Sequence, residues 1–181
     1  ILLGPPLLQN DDALFNFHKR IAGAIKAPIV IHDFPQATKV YMPASLIGRI
    51  VNEIDATWYI KLEDPPTGLK IEKFRQLCGD KLKVFGALGG LFAFEELDRG
   101  AVGLMTGFAY PELLVQIYDL FCSGDREKAR TIFYDILPLV RFEFQQGIGV
   151  FLRKYVFKQK GVFQTTVVRE PTTIPDQKTL F

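Results

Sequence analysis

Hydrophobic positions along the chain form short apolar runs, typical of buried strands, that alternate with longer segments of helical periodicity. The apolar runs predict strands at residues 1–3, 27–32, 57–62, 82–87 and 102–106. The periodic segments predict helices at residues 13–25, 43–52, 69–77, 92–99, 111–121, 125–144 and 148–158. A loop is expected over residues 33–41, and a polar tail with two prolines over residues 165–181.

Regular alternation of strand and helix with short loops predicts a parallel sheet with right-handed crossovers. Two architectures compete, a doubly wound open sheet and a (β/α)8 barrel. A dinucleotide fingerprint places its glycines after the first strand, whereas Gly86, Gly89 and Gly90 come late in this chain. The barrel is therefore favoured, although the five predicted strands fall short of the eight that close one.

Composition narrows the class of protein without naming a function. The 181 residues are 48% hydrophobic with a net charge of +2, which disfavours disorder and a nucleic-acid footprint. The basic cluster at residues 153–160 is interpreted as a solvated helix face. Cys78 and Cys122 indicate small apolar side chains of a reducing compartment. No apolar run is long enough to span a bilayer and no secretion signal opens the chain, so a cytoplasmic protein is expected.

Lys61 stands out because it ends the apolar strand at residues 57–62, on the same face as Thr57 and Tyr59. An ammonium there is costly to desolvate unless it is paired or loses its proton. A lysine that is neutral near pH 7 is what Schiff-base chemistry requires. The alternative is a strand-end lysine whose head reaches water along its own stem.

Other strand ends carry groups that could face the same site, since chemistry in a barrel gathers at the carboxyl ends of the strands. They are Pro5-Pro6, His32-Asp33, the turn at Leu88-Gly89-Gly90 and Thr106-Gly107.

Four stretches, taken in their order and spacing, carry a family resemblance. They are Ala27–Pro35, Trp58–Lys61, Gly100–Thr106 and Ser123–Arg130. From Gly4 to about Gly161 the chain resembles the dihydrodipicolinate synthase / N-acetylneuraminate lyase family of Schiff-base aldolases, which are (β/α)8 barrels. The resemblance implies that residues 1–107 run from about strand 4 to strand 8, that residues 108–163 form a C-terminal helical region and that residues 164–181 form a tail. Roughly the first 100 residues of the fold, including a threonine pair that holds the keto acid's carboxylate, would then be absent.

The resemblance also assigns the catalytic groups. Lys61 takes the place of the Schiff-base lysine, and His32 stands where the family usually has a tyrosine proton relay. The alternative for His32 is a buried imidazole bonded to backbone. Asp33 replaces the family's asparagine and either orients His32 or caps the loop. Glu63 could move a proton or bind substrate; the alternative is a loop acid in solvent.

The resemblance further places Gly89, Gly90, Met105 and Thr106 at the substrate. Glycine backbone can approach a ligand closely, although the same residues also suit a tight turn and a strand end.

Departures from the family pattern narrow the expected substrate. Ala37 stands where many synthases have an arginine for the second substrate's carboxylate, and Pro6 where a tyrosine crosses the dimer interface. We therefore expect a Schiff-base lyase that acts on pyruvate or a 2-keto-3-deoxy sugar acid, by dehydration or retro-aldol cleavage. The alternatives are 4-hydroxy-tetrahydrodipicolinate synthase proper and a non-catalytic relative or assembly module. No cofactor, metal, nucleic acid or membrane partner is expected, and the resemblance implies a homodimer or homotetramer.

Overall fold

The computed structural model describes residues 1–180; Phe181, the last residue of the predicted tail, lies outside the described residues. The chain divides into two compact units. The first comprises Ile1–Leu88 and Phe92–Met105, and the second comprises Gly89–Leu91 and the chain from Thr106 onward. The sequence-based division at residues 107 and 163 stays a prediction.

The first unit contains a five-stranded sheet in residues 1–180. Its strands are β1 (Leu2–Leu3), β2 (Ile29–Asp33), β3 (Trp58–Leu62), β4 (Leu82–Gly86) and β5 (Gly103–Leu104). Every neighbouring pair is parallel and the strands lie in sequence order. A doubly wound sheet reverses its strand order at a switch point, so this sequential order is that of a barrel wall. The predicted parallel α/β class is confirmed.

The last strand is shorter than the run predicted at residues 102–106. Backbone pairing nevertheless continues at both ends, because Val102 N donates to Val84 O and Met105 N donates to Gly86 O, each at 2.8 Å.

The helices of the first unit join consecutive strands. They are α1 (Asp11–Ala24), α2 (Pro35–Thr38), α3 (Ala44–Glu53), α4 (Thr67–Cys78) and α5 (Ala93–Asp98). Asn10 caps α1 by accepting a bond from Ala13 N at 2.8 Å. The short helix α2 lies within the predicted loop at 33–41, so that prediction is wrong for its four residues. Pro35 suits a first helical turn, and Lys39 closes α2 with φ of 61°.

One face of the sheet is buried against the helices. Ile29 and Ile31 of β2 belong, with Trp58 of β3, to a core that also includes Ile47 and Phe74 of the helices. The opposite face is only half-buried, as the alternation along β2 and β3 shows. The half-buried face carries His32 of β2 and Lys61 of β3.

The second unit is helical, as predicted. Its helices are α6 (Pro111–Cys122), α7 (Arg126–Glu143) and α8 (Gly149–Gln159), and a 3-10 turn covers Gln177–Leu180. Phe133, Ile117 and Val140 are almost completely buried between them. Among residues 1–180, no helix combines the length and the apolarity needed to cross a membrane.

Candidate active site

The register of two neighbouring strands places His32 beside Lys61. These residues pair directly where β2 runs parallel to β3, and both point to the half-buried face. The pairing continues one residue past β3, because Glu63 N donates to Asp33 O at 2.8 Å. Since side chains alternate along extended backbone, Glu63 returns to the face of Lys61.

One carboxylate oxygen joins the three side chains. Glu63 Oε1 lies 2.9 Å from Lys61 Nζ and 2.8 Å from His32 Nε2. The exposed fractions of the side chains are 8% for Glu63, 13% for His32 and 20% for Lys61. We call this group the Lys61–Glu63–His32 cluster. The interpretation of Glu63 as a loop acid in solvent is wrong, because the extended pairing carries its side chain inward.

The imidazole of His32 is held on two sides. Its Nε2 meets Glu63, and its ring stacks on Phe34 with centroids 5.5 Å apart and planes 13° apart. The alternative of an imidazole bonded to backbone is therefore wrong. A histidine in contact with a carboxylate can pass a proton in either direction.

Lys61 is flanked by aromatic side chains on its own face. Phe85 is its partner in β4, and Phe85 stacks on Tyr59 with a centroid separation of 5.8 Å. The alternative of a lysine head in bulk water does not fit, because Nζ lies against the buried carboxylate of Glu63. In this arrangement Glu63 can take the proton that Lys61 must lose before it attacks a carbonyl.

A second ionic cluster, which no pattern in the sequence predicts, lies at the ends of β2 and β3. Lys70 Nζ donates to Asp33 Oδ2 at 2.6 Å, to Met42 O at 2.7 Å and to Asp64 Oδ2 at 2.8 Å. Asp33 is completely buried, and burial raises its pKa to about 6 against the opposing effect of Lys70. The Asp33 side chain thus meets Lys70, and the expectation that it orients His32 is wrong.

Glu96 of α5 is a further buried acid, and the sequence patterns did not single it out. It is completely buried, and a Cβ added to Gly86 would lie 2.1 Å from Glu96 Oε2, so the carboxyl rests against the β4 backbone. Burial raises the pKa of Glu96 to about 8, against a smaller opposite effect of the Thr67 hydroxyl. Within residues 1–180 no cation lies within salt-bridge distance of Glu96. Glu96 is therefore expected to be protonated at neutral pH.

The remaining predicted site residues fall in both units. Met105 belongs to the first unit, where its N–H bonds Gly86. Gly89, Gly90 and Thr106 belong to the second unit, where the Thr106 methyl lies 3.7 Å from the position of an added Gly90 Cβ.

Gly89 has a clear packing reason to be glycine. Its φ is 70°, and an added Cβ would lie 2.1 Å from the ring of Phe144. The roles of Gly89, Gly90, Met105 and Thr106 in substrate binding stay predictions.

No group of three His, Cys, Asp or Glu side chains in residues 1–180 is arranged to hold a metal ion. The chemistry that the described residues offer is a lysine amine with a carboxylate and an imidazole beside it.

Two curated proteins show what this chain is similar to in sequence. The L-2-keto-3-deoxyarabonate dehydratase of Azospirillum brasilense is 29% identical over 161 residues, which are 87% of this chain and 51% of that protein. A 4-hydroxy-tetrahydrodipicolinate synthase of Hyphomonas neptunium is 30% identical over 178 residues, 92% of this chain and 57% of that protein. The chain thus spans about half the length of the curated relatives that it matches.

The chain is also similar to solved structures of the same kind of protein. The crystal structure of dihydrodipicolinate synthase from Rhodopseudomonas palustris superposes with a TM-score of 0.91 and 33% identity, over 98% of this chain and 61% of that one. The solved relatives are TIM barrels and the chain corresponds to their C-terminal part, which confirms the predicted barrel assignment. The model of the dihydrodipicolinate synthetase family matches residues 9–180. The chain belongs to the dihydrodipicolinate synthetase family.

Proposed function

We propose that the protein is a Schiff-base-forming lyase in which Lys61 condenses with the carbonyl of a 2-keto acid. The observation that carries this proposal is the Lys61–Glu63–His32 cluster, in which one carboxylate oxygen bonds both the amine and the imidazole. A nucleophile within hydrogen-bond reach of a base, itself in contact with a second proton carrier, is the arrangement that covalent catalysis requires.

The first chemical step follows from these contacts. Glu63 takes a proton from the Lys61 ammonium, and the free amine attacks C2 of the keto acid. The C–N bond forms as the C–O π bond opens, and the nitrogen then gives up a second proton. The oxygen receives this proton and the one held by Glu63 and leaves as water, and Glu63 and His32 are the nearest carriers for both transfers. The protonated imine that results withdraws electrons from the neighbouring carbon atoms.

We propose a 2-keto-3-deoxy sugar acid as substrate. Loss of a C3 proton to Glu63 or His32 gives an enamine, and protonation of the C4 hydroxyl then allows it to leave as water, which is a dehydration. Deprotonation of the same hydroxyl would instead break the C3–C4 bond, which is a retro-aldol cleavage. A dehydration is supported by the name of the Azospirillum brasilense relative. Ala37, exposed in α2, offers no cation to a dicarboxylic substrate.

The second candidate function is 4-hydroxy-tetrahydrodipicolinate synthase, which several curated relatives are named for. Pro6 and Ala37 disfavour it, since the groups expected there are a tyrosine and an arginine. A non-catalytic assembly module is the weakest alternative, because it gives no reason for a buried carboxylate to bond both Lys61 and His32.

Further parts of the proposal concern binding and assembly. Gly89, Gly90, Met105 and Thr106 are proposed as substrate-binding residues. A homodimer or homotetramer is proposed, with exposed apolar side chains such as Val115 of α6 available for contacts. One solved relative is described as a monomeric variant, so light scattering should measure the assembly state directly. Location in the cytoplasm stays a prediction from the sequence.

The proposed reaction can be tested with the full-length protein and two sets of substrates. The first set is a panel of 2-keto-3-deoxy sugar acids, and the second is pyruvate with aspartate semialdehyde. We expect turnover of a member of the first set with loss of water, and none in the Lys61→Met variant. Turnover confined to the second set would establish the synthase instead, and turnover of neither set would contradict the lyase.

A further inference from the structure

Lys70 makes three hydrogen bonds to three separate segments at the carboxyl side of the sheet. Its ammonium, on α4, reaches Asp33 at the end of β2, the Met42 carbonyl before α3 and Asp64 after β3. The Lys70 side chain is 11% exposed, and Asp33 is fully buried. All three donor hydrogens of the ammonium are therefore used inside the protein.

Two of these segments carry the catalytic groups. Asp33 follows His32 directly, and Asp64 follows Glu63 directly. The same two segments are joined by the bond from Glu63 N to Asp33 O at 2.8 Å. Lys70 thus holds the residues next to His32 and Glu63 from the side of the sheet opposite to the catalytic side chains.

The bonds from Lys70 to Asp33 and to Asp64 are strong because each joins opposite charges. Two of them join an ammonium to a carboxylate at 2.6 and 2.8 Å, and such charge-assisted bonds are about twice as strong as neutral ones. After Glu63, whose N–H still bonds Asp33 O, the chain turns through Pro65 and Pro66, and the described residues show no strand pairing there. The position of the Glu63 carboxylate therefore depends on the bonds made by its neighbours Asp33 and Asp64.

We propose that Lys70 is a positioning residue, which sets the place of the Glu63 carboxylate between Lys61 and His32 by drawing the ends of β2 and β3 together. This role rests on the proposed Schiff-base function. Lys70 does not touch the substrate in this proposal; it acts through Glu63.

The experiment measures how fast pyruvate and borohydride convert the full-length protein to a stable reduced adduct. Lys70→Met should slow trapping roughly tenfold or more, because small displacements of a catalytic group cost large factors in rate. The pyruvate concentration at half-maximal rate should change less than about twofold, since only the proton carrier is displaced. Lys73→Met is the matched control, since Lys73 is exposed one turn further along α4, and its trapping rate should equal that of the wild type.

A double-mutant cycle separates positioning from general loosening of the fold. In a Glu63→Gln background, adding Lys70→Met should cost less than about threefold, because the group that Lys70 positions is already disabled. An equal loss in both backgrounds would overturn the positioning role.

Removal of Lys70 alone leaves Asp33 buried without its cation, so that variant could fail to fold. The double variant Asp33→Asn/Lys70→Met removes both charges and keeps similar side-chain volumes. It should fold and still trap pyruvate slowly; trapping at the wild-type rate would overturn the proposal. If the wild type itself forms no adduct, the proposed function fails, whereas a reactive wild type with equally reactive Lys70 variants overturns the positioning role alone.

Discussion

Glu96 gives the sharpest prediction about stability, because a carboxyl is buried there without a cation. Its pKa is raised from 4.5 to about 8 by burial. Between these two values the unfolded chain releases the proton while the folded chain keeps it. The free energy of unfolding therefore contains a contribution that is complete below pH 4.5 and is lost as the pH rises to 8.

The magnitude follows from the size of the pKa difference. Each pKa unit corresponds to about 1.4 kcal/mol, so the wild type should lose about 2 to 3 kcal/mol between pH 5 and pH 7 through Glu96. Glu96→Gln has nearly the same shape and cannot ionise. Any cost of placing the amide against Gly86 is independent of pH, so the stability of the variant relative to the wild type should rise by that amount over this range.

Urea unfolding can be followed by the fluorescence of Trp58, the one tryptophan of the chain, which is 1% exposed in β3. Glu127→Gln is the control, since Glu127 is exposed on α7, and it should change the unfolding free energy by less than about 0.5 kcal/mol at either pH. A difference between wild type and Glu96→Gln that stays constant from pH 5 to pH 7 would refute the protonated buried carboxyl.

Two further predictions concern the second unit. Gly89→Ala should lower the unfolding free energy by more than about 2 kcal/mol, because the new methyl meets the Phe144 ring and φ is 70°. Gly124→Ala, with φ of 92° and open space around it, isolates the backbone strain, and an equal loss in both variants would show that Phe144 does not matter. Arg153→Met should cost about 2 to 3 kcal/mol in urea unfolding, because Arg153 Nε bonds Glu143 Oε1 at 2.7 Å and Glu143 is buried. An unchanged midpoint would show that Glu143 is satisfied by its bonds to Ala109 N alone.

The strands, the main helices and the position of Lys61 could be predicted because they depend on local patterns. Apolar runs and helical periodicity indicate which face of an element is buried. Lys61 can be recognised because it is a charged residue within the apolar run at residues 57–62. The resemblance in four short stretches supplied the barrel and the role of His32. The helix α2 was missed because four residues are too few to show a period.

The environment of Glu63 could not be predicted, because it depends on a bond between segments distant in sequence. From the sequence, Glu63 is the first acid of a loop that ends in two prolines. Its burial follows from the bond to Asp33 O, which extends the pairing by one residue. Lys70 was missed for the same reason, since its partners Asp33 and Met42 lie 37 and 28 residues away. Glu96 gave no signal, since a glycine inside the strand predicted at residues 82–87 does not show that Gly86 leaves room for a carboxyl from α5.

The central claim is that the Lys61 amine forms the covalent bond to substrate, and reductive trapping tests it most directly. The full-length protein is incubated with pyruvate and borohydride, weighed by mass spectrometry and digested to locate the modified residue. One reduced pyruvate adduct per chain, located on Lys61 and missing from Lys61→Met, is the predicted result. A wild-type protein whose mass is unchanged, or an adduct that persists in Lys61→Met, would contradict it.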